Sequence, residues 1–290
     1  MNWKRILTIS VFAVVLCAGY ALTIVFYFAE EGNKRANTID SPAVDKNGDY
    51  IEATASILSV DLQKENMEVR VEFRPHGKLA LAEGILARPV EIHPTGVNAE
   101  PLSFAAGDRM LSRDITFDLH GGEVTDYPFD RHTSLIEFLA VEKIEGGAPR
   151  PIPLDVNFNA YHHGLAISLK PFASNEGGYV GFEATFVRSN LVMGAAIFCM
   201  LVMWGLAVAA ILVLFSVLFH DREVDIDKLA LLSGLIIALY FFRAALPDTP
   251  PTIGTLSDFL AFFWTEAIVS VSSVIYTFVW FQRGRQAIKK

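Results

Sequence analysis

Arg243 and Glu266 are the charges that stand inside two apolar runs of this chain, Leu229–Leu246 and Leu260–Phe281. A charge at membrane depth is costly and is normally paired or used. Counted from the polar turn between the runs, Arg243 lies about one helical turn deep and Glu266 about two. The pair admits two uses. It can line an ion or proton path, or it can be a structural salt bridge between antiparallel helices, with Arg243 reaching toward the interface.

A second constellation could bind metal. Asp118 and His120 share one face of a strand at i, i+2, and His162–His163 could add ligands. Six of the seven histidines fall between residues 76 and 163, at strand ends and turns, where surface histidines are common. No nucleophile elbow, phosphate-binding loop, dinucleotide fingerprint or zinc-protease helix is present, so the sequence calls for no cofactor and for no catalytic residue.

The elements that position these residues follow from hydropathy. Leu191–Phe219 is an unbroken apolar run, longer than the roughly 20 residues needed to cross a bilayer as a helix. Ile6–Phe28 is another, too long for a signal-peptide core and followed by no small-x-small site, which fits a retained anchor. Ala13, Cys17 and Ala21 form a small-residue stripe on it, and Gly205, Ala209, Gly234 and Ala238 suggest close helix packing elsewhere.

Between these runs the chain is of ordinary globular composition and alternates with period two. Met67, Val69, Val71 and Phe73 are interleaved with Glu68, Arg70, Glu72 and Arg74. The same alternation recurs around residues 115–119, 152–158, 165–169 and 180–186, with weaker strands at 56–62, 86–92 and 135–141. Gly-Gly pairs at 121–122, 146–147 and 177–178 supply turns. Eight short strands without a helix predict an antiparallel β-sandwich. Residues 29–188 hold 25 acidic and 15 basic side chains, which argues against nucleic acid as a partner. Cys17 and Cys199 both lie in apolar runs, so the sandwich would stand without a disulfide.

The predicted layout is therefore four transmembrane helices plus an all-β antiparallel sandwich. Residues 1–29 are a cytoplasmic start and first helix, 30–49 a linker, 50–189 the extracytoplasmic sandwich, and 190–219 the second helix. Then come a cytoplasmic loop (220–228), the third helix (229–246), an external loop (247–258), the fourth helix (259–282) and a basic cytoplasmic tail (283–290). Lys and Arg number two at the N-terminus, two in the 220–228 loop and four in the tail, against none in 247–258. The positive-inside rule then places both termini in the cytoplasm.

One turn carries a resemblance. Tyr127-Pro128-Phe129-Asp130-Arg131, in an exoplasmic sandwich with one span before and three after, resembles an uncharacterised family of bacterial membrane proteins known only as a domain of unknown function. That resemblance implies a plasma-membrane location and no set activity. The turn is also similar to the PheProPheAsp element of pentameric ligand-gated channels, which implies that residues 127–131 face the outer ends of the spans. The departures are that one helix here precedes the sandwich and that no polar pore-lining helix is evident.

These readings lead to a non-catalytic accessory, scaffold or sensor in the bacterial plasma membrane. Its expected partners are the lipid bilayer and either another envelope protein or further copies of itself. The alternatives are a ligand-responsive ion channel or transport subunit using Arg243 and Glu266, and a metal-dependent envelope enzyme.

Overall fold

The computed structural model describes residues 38–288 apart from 42–43, 98–99, 145, 174–177 and 220–224, together with positions 19, 21, 24, 25, 27 and 28. The chain divides into two compact units. A β-unit takes residues up to 123 and 130–191, and a helical unit takes 124–129 and everything from 192.

In the β-unit the period-two pattern is realised directly. Strand β3 (Asn66–His76) buries Met67, Val69, Val71 and Phe73 and turns its four charged neighbours outward. It pairs with β2 (Tyr50–Asp61) on one side and β8 (Arg113–Asp118) on the other. Beyond β2 lie β11 (Leu154–Asn159) and β1 (Thr38–Asp40), giving the order β1-β11-β2-β3-β8. The second sheet runs β12 (Leu165–Ala173), β13 (Tyr179–Arg188), β9 (Arg131–Glu142), β6 (Val90–Pro94) and β7 (Leu102–Phe104), with the short β10 (Arg150–Pro151) attached to β9. A small hairpin of β4 (Ala80–Ala82) and β5 (Ile85–Leu86) completes the unit. Aromatic rings from the two sheets meet across the core: Phe73 with Phe104, Phe117 with Phe138 and Phe158 with Phe182, at centroid distances of 6.0, 5.9 and 5.8 Å.

Two features depart from the expected antiparallel sandwich. β11 runs parallel to β2, in register from Leu154 opposite Ile51 to Asn159 opposite Ser56, so the first sheet is mixed. The expected linker at 30–49 contributes β1, which pairs antiparallel with β11, and Ser41 beyond it is buried and hydrogen-bonded to Val156. Both depend on contacts more than a hundred residues apart in the chain. Turn glycine matters at Gly178, where φ is +75° and a Cβ would lie 2.7 Å from the carbonyl oxygens of Ala140 and Ile152.

The helical unit contains α1 (Asn190–Phe219), α2 (Ile226–Ala244) and α3 (Phe263–Ile288), the last entered through a π-turn at Asp258–Phe262. α1 buries one stripe (Val192, Ala196, Met200, Met203, Ala207, Ala210, Val217), and its remaining faces expose large apolar side chains such as Phe198, Leu201 and Leu212. An apolar surface of that extent is what a lipid environment accepts. Asp225 caps α2, and its backbone N–H and carbonyl are both bonded by the Tyr276 hydroxyl of α3.

Among the described residues two helical segments are long and apolar enough to cross a membrane, Asn190–Phe219 and Asp258–Arg283. The four expected spans are thus not met. α2 has 19 residues, long enough, but its Asp227, Lys228 and Arg243 make it too charged to qualify, while the first apolar run falls largely outside the described residues. Among the described residues the packing expected at Gly205, Ala209 and Gly234 is not seen: all three are exposed, and a Cβ on either glycine would meet none of them within 4 Å. The small residues buried in the helical core are alanines, at 196, 207, 210 and 261.

Candidate functional site

The TyrProPheAsp-Arg turn is divided between the units. Val124–Phe129 belongs to the helical unit, and Asp130 begins the return of the chain to the β-unit. Tyr127 is fully buried within the helical apolar cluster, beside residues such as Val192, Leu246 and Ala261. Its hydroxyl donates to the Pro247 carbonyl at 2.5 Å, and its own carbonyl accepts from the Ser257 N–H at 3.2 Å. The Tyr127–Pro128 bond is cis, Pro128 is buried and Phe129 is half exposed. Removing the hydroxyl alone, Tyr127→Phe, leaves the Pro247 carbonyl without its donor and should cost about 1 kcal/mol. Tyr127→Ala adds a cavity and should cost about 3–5 kcal/mol, read as a lower unfolding midpoint of the detergent-solubilised protein.

Asp130 is buried in the β-unit. The Arg188 Nε donates to both of its carboxylate oxygens, at 3.0 and 3.1 Å, and the His132 Nε2 lies 3.5 Å from Oδ2. Burial by itself would push this carboxyl up. The His132 ring and the Arg188 guanidinium outweigh that and hold Asp130 below the usual carboxylate range. Arg131 opens β9 opposite Val187, with its side chain exposed. The turn therefore contains one buried hydroxyl and one buried, paired carboxylate, and neither is presented to solvent.

The intramembrane pairing expected from sequence is not the one formed. Arg243 does not meet Glu266. Its Nε and Nη2 donate to Asp258 Oδ1 and Oδ2 at 3.0 and 3.2 Å, and Nη2 also donates to the Thr252 carbonyl at 3.0 Å. The N–H groups of Gly254 and Thr255 complete the Asp258 shell, at 3.0 and 3.1 Å from Oδ2. The physical reason is local. Asp258 lies fifteen residues from Arg243 across a short turn, at the helix N-terminus, where free N–H groups favour a carboxylate. Glu266, two turns further along, is partly buried, and its Oε2 has no hydrogen-bond partner among the described residues. Sequence reading missed Asp258 because it falls at the border of the predicted loop; its spacing of four residues beyond Gly254 in a Gly-Thr-x-x-Asp turn was the available signal.

The candidate metal ligands are placed apart in the β-unit. Asp118 ends β8, and His120 follows it in an isolated bridge to Thr133. His162 and His163 lie in the turn between β11 and β12, where His162 bridges Leu165. Among the described residues no group of three or more His, Cys, Asp or Glu side chains could hold a metal ion. Elsewhere the notable shift is at Tyr179, whose hydroxyl donates to Glu137 at 2.5 Å; that bond, with burial, pushes it up to about 12.

Comparison with protein families returns two matches that meet near the junction of the β-strands with α1. Residues 188–283 match a domain of unknown function, DUF8686. Residues 41–186 match another, DUF4436. No curated protein matches the chain. Neither family description states an activity. With a match over half its length, covering the β-region from Ser41 into β13, the chain belongs to the family of the domain of unknown function DUF4436.

Proposed function

We propose that this protein is a non-catalytic accessory, scaffold or sensor of the bacterial plasma membrane. In this reading α1 and the Asp258–Arg283 segment are bilayer-embedded, and the β-unit is an extracytoplasmic module that binds another envelope component. One observation supports it most. Asp258 has its carboxylate filled by four donors, so this buried charge pair closes a turn rather than standing open to a ligand. Asp130 and Arg188 serve the β-unit in the same way. An ion pathway through Arg243 fits less well, because its guanidinium is already committed to Asp258 and Thr252.

The test is purification of the tagged full-length protein from its native membrane in mild detergent, followed by native mass measurement. A stoichiometric protein partner is the expected result. A partner-free homo-oligomer that conducts ions after reconstitution, with conductance altered by Glu266→Gln, would overturn the reading in favour of a channel.

A further inference from the structure

A groove of about 220 Å³ opens on the outer face of the β-unit, wholly within residues 72–112. Its walls include Glu72 and Arg74 from β3, Glu83 at the tip of the β4–β5 hairpin, and Arg109, with Met110 and Leu111 as the apolar side. Several neighbouring surface charges are matched within the protein: Arg70 with Asp114, Arg88 with Glu142 and Asp49, Lys143 with Glu91. The four charges of the groove behave differently. None of Glu72, Arg74, Glu83 and Arg109 forms an ion pair or side-chain hydrogen bond with another described residue.

The scaffold beneath them is ordered. Arg109 bridges Ile85, the Met110 N–H donates to the Gly84 carbonyl at 3.0 Å, and the Leu86 N–H donates to the Asp108 carbonyl at 3.0 Å. A Cβ on Gly84 would lie 3.6 Å from Arg109 Nε, so the guanidinium lies over the hairpin turn. Glu72 and Arg74 are fixed two residues apart on one face of a central strand.

Charge balance selects the ligand. A simple anion would be attracted by two guanidinia and repelled by two carboxylates, and a simple cation would meet the reverse. A molecule carrying both charges satisfies all four groups, with bidentate geometry available at arginine for its carboxylate. We propose that this groove binds a small zwitterion of the amino-acid or dipeptide class, with its carboxylate on Arg74 and Arg109 and its ammonium on Glu72 and Glu83. The volume limits the ligand to that size, and Met110 and Leu111 favour an apolar side chain. This inference concerns the β-unit alone and does not depend on membrane topology or on a protein partner.

The test is a thermal-shift and calorimetric titration of the full-length protein in detergent with L-leucine and L-alanyl-L-leucine. Acetate and ethylammonium serve as single-charge controls. Saturable binding of at least one zwitterion, with neither control binding comparably, is expected at concentrations up to about 10 mM. Arg109→Gln and Glu83→Gln are both exposed positions and should leave the unfolding midpoint of the free protein in place while each weakens binding at least about tenfold. Three results would each overturn the proposal: no saturable binding by either zwitterion, equal binding of acetate or ethylammonium, or binding unchanged in both variants.

Discussion

Replacing Asp130 by Asn should lower the stability of the β-unit by about 3–5 kcal/mol at neutral pH, because it removes the carboxylate charge that the buried Arg188 guanidinium pairs with. Both side chains are almost wholly enclosed, with relative exposures of 1% for Asp130 and 6% for Arg188. At that burial, water cannot substitute for the lost partner. The cost should depend on pH in a defined direction. The folded protein holds the Asp130 carboxyl below its ordinary value, so the stabilisation is fully present above the unfolded-state pKa of about 3.9 and is lost as pH falls through the folded value. The difference between wild type and Asp130→Asn should therefore be constant from neutral pH down to about pH 5 and shrink below about pH 4. Denaturant unfolding monitored at several pH values reads this directly. A difference that stays constant down to pH 3 would refute the account. Converting both partners together, Asp130→Leu with Arg188→Met, should recover much of the loss, since an apolar pair leaves no buried charge unmatched.

Asp258→Ala should destabilise the helical unit, again by about 3–5 kcal/mol. It removes one acceptor that four donors share, so Arg243 loses its counter-charge and keeps only the Thr252 carbonyl, and the Gly254 and Thr255 N–H groups lose their acceptor together. The residues 246–258 should loosen as a unit, with faster hydrogen exchange at Gly254 and Thr255. Glu266→Gln provides the contrast. Its Oε2 has no hydrogen-bond partner among the described residues, and the amide preserves the shape, so its effect should stay below about 1 kcal/mol. If the Glu266 variant proved as destabilising as the Asp258 variant, the pairing of Arg243 with Asp258 would be wrong and the pairing expected from sequence would be restored. Thermal unfolding of the two variants in the same detergent separates these outcomes.

The Asp130–Arg188 and Asp258–Arg243 pairs are the same physical device in different settings. In the β-unit an arginine at the end of β13 closes on the residue just before β9; in the helical unit an arginine near the end of α2 closes on the residue that opens the π-turn into α3. Each pair joins the end of one element to the start of another, and in each the carboxylate belongs to a turn. Tyr127 serves the helical unit in a neutral form, its hydroxyl and carbonyl bonding Pro247 and Ser257 on the same 246–258 turn. Six polar contacts, three from Arg243, two from Tyr127 and one within the Thr255–Ser257 hydroxyl pair, thus converge on the 246–258 turn.

The sequence by itself determined the local elements. Alternation in Met67–Arg74 and its counterparts set which side chains face the core, because a strand has only two faces and a buried face must be apolar. The unbroken run from Leu191 to Phe219 likewise set α1, whose helix begins one residue earlier, since nothing within it could end a helix. What only the tertiary structure decided was partnership. Period two is blind to which strand lies alongside, so the parallel match of β11 to β2 and the capture of residues 38–40 as an edge strand could not be read from it. The same holds for charge. Depth along two helices made Glu266 the candidate partner for Arg243, but a guanidinium reaches a few ångströms in one direction, and the geometry of the turn put Asp258 there. Local pattern is written in neighbouring residues and survives reading one chain; pairing is a property of three-dimensional approach, and it forms only when the chain has folded.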